Sequence, residues 1–248
     1  MDPVNSDMKS MPTAQTTRIT TLEEVIDTAR SMIIPGQRRI LGITGAPGAG
    51  KSTLCAALLE TFGADAVGVG MDGFHLSNHE LQRLGRSTRK GAPDTFDVAG
   101  YAALLKRLRD STETVYAPLF DRSLEESIGS AVAVTPEIPL VITEGNYLLL
   151  EEDGWPKARE AIDEIWFLDV PDEVRKSRLL ERHKEYGRTH DEAKAWVEAV
   201  DQKNGVLVNN TRSRADLVIK LIGPTEGSQD IPSALIRNES PRASEGSK

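Results

Sequence analysis

The chain has 248 residues, with 38 acidic and 30 basic side chains and a formal charge of −8. A hydrophobic share of 39% beside 27% charged residues allows a sizeable core and excludes wholesale disorder. The acidic balance argues against a general nucleic-acid binder, which needs basic surface. The single cysteine, Cys55, leaves no intrachain disulfide and no Cys-rich metal site. No apolar run reaches the roughly 18 residues of a membrane helix, and the first twenty residues lack the apolar core of a secretory signal. The expected compartment is the reducing cytoplasm.

Residues 1–19, with Pro3 and Pro12, show no periodicity and are expected to form a loose leader. Thr20-x-x-Glu23 and Thr21-x-x-Glu24 are overlapping capping boxes. Leu22, Val25, Ile26 and Ala29 follow at helical spacing, which predicts a helix to about Met32. Residues 39–44 (RILGIT) read as a short buried strand, residues 51–62 as a helix, and residues 66–71 as a second strand. Residues 101–109 are helical, with Leu104, Leu105 and Leu108 on one face. Residues 140–143 and 165–170 are further buried strands, and residues 217–221 close the series. From Pro224 onward Pro, Ser, Gly and Glu dominate, which predicts a frayed tail. Strands alternating with helices imply a parallel sheet covered on both faces, with ligands bound beyond the carboxyl ends of the strands.

The first strand runs into Gly45-Ala46-Pro47-Gly48-Ala49-Gly50-Lys51-Ser52, a full match to G-x-x-x-x-G-K-[ST]. Backbone N–H groups that curl around a polyphosphate need glycine where a Cβ would block the approach. The following helix, which opens with Lys51, Ser52 and Thr53, aims its positive end at the anion. Lys51 suits the β and γ phosphates of ATP, and the Ser52 hydroxyl suits Mg²⁺. Cys55, one turn on, reads as a buried small apolar side chain.

The second strand ends in Met71-Asp72-Gly73-Phe74-His75. A carboxylate there can take the proton of an attacking hydroxyl, although an Asp-Gly pair is also a common turn. The strand ending Thr143-Glu144-Gly145 offers Glu144 as a metal ligand, or else as a water-exposed strand-end acid. Arg175, Arg178 and Arg182 fall on one helical face. Gly187 then breaks the segment, and Thr189-x-x-Glu192 is a capping box for a helix with Ala193, Trp196, Val197 and Val200 inward. Such arginines suit a lid over phosphates, or simply a solvated face.

These residues resemble a known family. GAPGAGKS, MDGFH, RKGAPDTFD (from Arg89), YAPLFDR (from Tyr116), TEGNYLL and ERHKEYGR are similar, in this order, to the phosphoribulokinase, uridine kinase and bacterial pantothenate kinase family. The nearest branch is a nucleoside or nucleotide kinase-like one with members associated with fructose-transport genes. The resemblance covers residues 20–222. It implies an α/β fold, the P-loop NTPase three-layer sandwich, with a small helical lid at about residues 175–190. It also implies an ATP- and Mg²⁺-dependent kinase acting on an alcohol. By the resemblance Asp72 is the base, Glu144 the strand-end carboxylate, Arg178 and Arg182 the lid arginines, and Asn210 and Thr211 part of the adenine pocket. Asp72-Gly73-Phe74-His75 departs from the Asp-Ser-Phe-Tyr usual in uridine kinases.

The expected reaction is in-line transfer of the γ-phosphoryl group to a hydroxyl of a small polar metabolite, a sugar or nucleoside. Phe74, His75, Asp97, Phe120, Asp121, Arg122 and Tyr147 are the acceptor-contact candidates, aromatic faces for packing and polar groups for hydroxyls. A pantothenate-like acceptor and a non-kinase nucleotide-binding regulator are the alternatives. The Asn-Lys-x-Asp guanine motif and the Leu-Ser-Gly-Gly transporter signature are both missing. The expected partner is the small-molecule acceptor, with neither nucleic acid nor membrane, and a homodimer is the one assembly entertained.

Overall fold

The computed structural model describes residues 16–222. The expected tail and most of the expected leader lie outside the described residues. The elements are β1 (Thr16–Thr20), α1 (Leu22–Arg30), β2 (Arg39–Thr44), α2 (Lys51–Phe62), β3 (Ala66–Gly68), α3 (Asn78–Arg83), α4 (Val98–Asp110), β4 (Val115–Asp121) and β5 (Glu126–Val134). They continue with β6 (Leu140–Glu144), α5 (Trp155–Glu160), β7 (Glu164–Leu168), α6 (Asp172–Glu185), α7 (His190–Trp196), α8 (Gln202–Asn209) and β8 (Leu217–Leu221).

Six strands form one parallel sheet in the order β1-β8-β7-β2-β6-β3. The two-residue period of a strand sorts β2 between two cores. Ile40 packs with Tyr101, Leu105 and Leu108 of α4 and Trp155 of α5, while Leu41 and Ile43 pack with Val25 of α1 and Leu54 and Leu58 of α2. The result is the expected three-layer α/β sandwich. Strand β2 lies between β6 and β7, so the loop after it opens where the sheet changes direction, the usual place for a ligand cleft.

Several boundaries differ from expectation for identifiable reasons. Residues 16–19, expected as leader, form the edge strand β1 against β8. An edge strand with residues 17–19 exposed before the buried Thr20 carries almost no apolar signature. Thr21, not Thr20, caps α1, its hydroxyl accepting from Glu24 N while the Glu24 carboxylate accepts from Thr21 N. The strand expected over 66–71 ends at Gly68, and the chain continues as a 3₁₀ turn, Met71–Phe74. Two nearby glycines weaken the ladder there. Between Val197 and Asp201 the helix makes a π-turn, and Asp201, four residues after Val197, is buried while Val200 is only half-buried.

The β4–β5 hairpin was not read from the sequence. Its inner face (Val115, Ala117, Val134) is buried, while Tyr116, Leu119 and Ile128 face outward. It lies against the Met71–Phe74 turn so closely that a Cβ on Gly73 would stand 2.6 Å from the Pro118 carbonyl oxygen.

Candidate active site

The loop between β2 and α2 builds the phosphate cradle. Gly48 has φ +79°, and a Cβ there would come within 2.7 Å of the Arg175 carbonyl oxygen on α6. Glycine is required both by the left-handed backbone and by the close approach. Gly50 (φ +91°) stands at the N-cap of α2 with no side-chain cap, and the first turn of α2 holds no acid. By contrast α1, α4 and α7 are capped by Thr21, Asp97 and Thr189. The first N–H groups of α2 therefore keep their donors for an anion.

Lys51 is only 8% exposed. Its ammonium folds back to donate to the carbonyls of Gly45 (2.9 Å) and Ala46 (3.3 Å). Burial pushes its pKa down to about 8, opposed by the nearby carboxylates of Glu144 and Asp72. The Ser52 hydroxyl lies 3.4 Å from Glu144 Oε1. Burial, then the charge of Asp72, raises the Glu144 carboxyl above its ordinary range, while Lys51 draws it down. Two acids and one lysine thus share one enclosed field. Cys55 is buried in the core under α2, and burial raises its thiol, as expected of an inert side chain.

Asp72 sits on the 3₁₀ turn beyond β3. Its Oδ2 accepts from Arg122 Nη2 at 3.3 Å, a contact reaching across from the end of β4. His75 closes the same turn. Burial lowers its pKa, so the ring is neutral, and its Nδ1–H donates to the Asp72 carbonyl at 2.8 Å. The ring is held between Phe96 (4.1 Å) and Phe120 (4.7 Å). A backbone anchor and two aromatic walls fix the turn, so the Asp72 carboxylate is presented by a rigid support. Beneath it, the Tyr101 hydroxyl donates to Thr143 (2.6 Å), which in turn donates to the Val69 carbonyl (2.6 Å).

The arginines divide into two roles. Arg175 is 1% exposed and donates to the Pro47 carbonyl (2.8 Å) and Asp172 (2.5 Å), fastening α6 to the cradle. Arg178 Nη1 lies 3.5 Å from where a Cβ of Gly50 would stand, at the mouth of the cradle. Arg182 reaches solvent yet loses hydration beside the cleft. That loss and the Arg122 cation lower its pKa, while Asp201 and Asp72 favour its charge.

Other expected site residues have structural partners of their own. Asp97 caps α4, accepting from Gly100 N at 2.8 Å. Asp121 closes the β4–β5 turn, with Ser123 N and Oγ and Leu124 N donating to its Oδ1. Tyr147 is fully buried and donates to the Gly91 carbonyl (2.6 Å). Phe74 packs on Tyr101 (5.1 Å) as part of the core wall. Thr211 is buried, its hydroxyl donating to the Val208 carbonyl at 2.7 Å, and Asn210 ends α8. Asp97 and Asp121 follow the ordinary turn chemistry of aspartate, which competes with any functional role. Of the acceptor candidates, Phe74 belongs to the Asp72 turn, His75 closes it, and Arg122 and Phe120 are brought to it.

A parallel sheet with this strand order, an uncapped helix behind a glycine cradle and a carboxylate facing it define a P-loop kinase. Residues 40–227 match the model of the Phosphoribulokinase / Uridine kinase family, and the chain belongs to that family. Its chemistry is phosphotransfer to an alcohol group, and membership of a P-loop kinase family implies ATP binding. A Schizosaccharomyces pombe protein named "Putative uridine kinase C227.14" is 32% identical over 214 residues, 82% of this chain and 91% of its own. Escherichia coli "Uncharacterized protein YggC" is 31% identical over 198 residues, 78% and 82% of the two chains. Among solved structures, a "putative fructose transport system kinase" from Silicibacter sp. TM1040 superposes with a TM-score of 0.72 at 38% identity, covering 80% of this chain and 98% of that one. Among the described residues, no helix is long and apolar enough to cross a membrane.

Proposed function

We propose that the protein transfers the γ-phosphoryl group of Mg·ATP to a hydroxyl of a small polar metabolite, a sugar or a nucleoside, with Asp72 as the base. The observation that carries this is the Asp72 carboxylate on a rigid turn, in the electrostatic field of Lys51 and Glu144 and within reach of Arg122. Ser52 and Glu144 fit a hard cation, being two oxygen donors 3.4 Å apart beside the cradle. Mg²⁺, when bound there, neutralises phosphate charge. Lys51 and the free N–H groups of α2 hold the polyphosphate, and Arg178 and Arg182 face the side from which charge develops. Asp72 accepts the acceptor's hydroxyl proton and aligns its oxygen for attack. Arg122 holds one oxygen of that carboxylate and leaves the other for the hydroxyl.

The carboxylates once expected to read a sugar, Asp97 and Asp121, are engaged in a helix cap and a turn. The sugar or nucleoside assignment rests instead on the names borne by relatives, a uridine kinase and a fructose transport system kinase. An ADP-release assay over fructose and other sugars, their phosphates, uridine, cytidine and pantothenate tests it. One acceptor should release stoichiometric ADP. Hydrolysis indifferent to every compound would instead identify a nucleotide-binding regulator.

A further inference from the structure

The helical arm beside the cleft contains a polar relay that the phosphate cradle does not explain. His183 on α6 places Nε2 2.8 Å from Asp201 Oδ2, and Arg188 Nη1 lies 2.9 Å from His183 Nδ1. A guanidinium only donates, so Nδ1 is the acceptor. The imidazole is therefore neutral, with its proton on Nε2 and donated to Asp201. Arg188 in turn stacks over the Trp196 ring, its Cζ 4.1 Å from the centroid.

Asp201 is 7% exposed, an unusual place for a carboxylate, and it ends the π-turn Val197–Asp201. An extra residue in a helical turn is destabilising and tends to persist where it serves a site. The relay joins α6, the Gly187 turn, α7 and the π-turn into one body. Arg182, next to His183 on α6, lies in the field of both Asp201 and Asp72.

We propose that His183 and Asp201 are positioning residues. The Arg188–His183–Asp201 relay locks α6 to the π-turn and so sets the Arg182 guanidinium over the phosphoryl group in transfer. This rests on the phosphoryl-transfer function proposed above. The relay touches no substrate itself. Its contribution lies in holding Arg182 before the transition state forms, which removes reorganisation at the moment of transfer.

The test needs no knowledge of the acceptor. Mg·ADP affinity is measured with and without aluminium fluoride, whose ADP complex mimics the transferring group. In the wild-type protein aluminium fluoride should tighten Mg·ADP binding, and Arg182→Ala should lose that gain. His183→Ala should lose about tenfold or more of it while plain Mg·ADP affinity stays within about twofold. His183→Gln, whose amide supplies one acceptor and one donor, should restore most of it. Asp201→Asn keeps an acceptor for Nε2–H but removes the charge facing Arg182, and should give an intermediate loss even if His183→Ala fails to fold. A full gain in both His183→Ala and Asp201→Asn overturns the proposal. So does equal loss in His183→Ala and His183→Gln with a matching fall in plain Mg·ADP affinity, which would make the relay mere scaffolding. If the wild-type protein shows no gain, the phosphoryl-transfer assignment falls, and the proposal with it.

Discussion

Lys51 offers the sharpest test of the cradle, because its charge is held against burial. A pKa lowered from 10.5 to about 8 corresponds to about 3 kcal/mol of penalty on the ammonium in the nucleotide-free protein. Phosphate oxygens arriving beside it reverse that penalty, so ATP binding above pH 8 must take up a proton. At pH 8.5 about three quarters of the free protein has lost the Lys51 proton, so uptake should be about 0.75 proton per ATP. Mg·ATP should bind about tenfold more weakly at pH 9 than at pH 7. Calorimetry in buffers of different ionisation enthalpy reads both numbers, and Lys51→Met should abolish the uptake. The same shift acts on folding: below about pH 8 both folded and unfolded lysine are charged and the penalty is present in full. Stability of the nucleotide-free protein should therefore rise as pH climbs from about 8 toward 10.5. An affinity flat from pH 7 to 9, with no proton uptake, would refute the placement of Lys51 against the phosphates.

Two further substitutions probe the neighbouring parts. Asp72→Asn should leave Mg·ATP affinity within a few fold and lower turnover on the working acceptor by about 10² or more. Undiminished turnover would remove Asp72 as the base. Gly48→Ala forces a Cβ against the Arg175 carbonyl at a left-handed φ, at a cost of about 2–3 kcal/mol. Thermal melting should drop by about 5–10 °C, whereas an unshifted melt would show that α6 does not press on the cradle.

The parts legible in the sequence were those with local signatures. Residues 39–44, 51–62 and 217–221 were read with the bounds the structure shows, because a buried strand, a phosphate-loop helix and a closing strand each carry their own apolar period. Asp72 and Glu144 were read from their position at expected strand ends, and both lie in the field of Lys51. Four site candidates have ordinary structural partners, because a polar side chain looks alike in a turn and in a site. Asp97 and Asp121 serve backbone N–H groups, Tyr147 is core, and Thr211 satisfies a helix end. The hairpin escaped because Pro118, at its bulge, argues against a strand and its two halves pair only with each other. Asp201 falls at helical spacing four residues after Val197, but a carboxylate is rarely read as an inward side chain.

The β4–β5 hairpin meets the rest of the protein chiefly where Pro118 rests on Gly73, and it contributes Arg122 to the cleft. In the proposed mechanism nucleotide handling belongs to β2, α2 and α6. On that mechanism, changes in the outward strands would alter which metabolite is admitted while the phosphate cradle stays untouched.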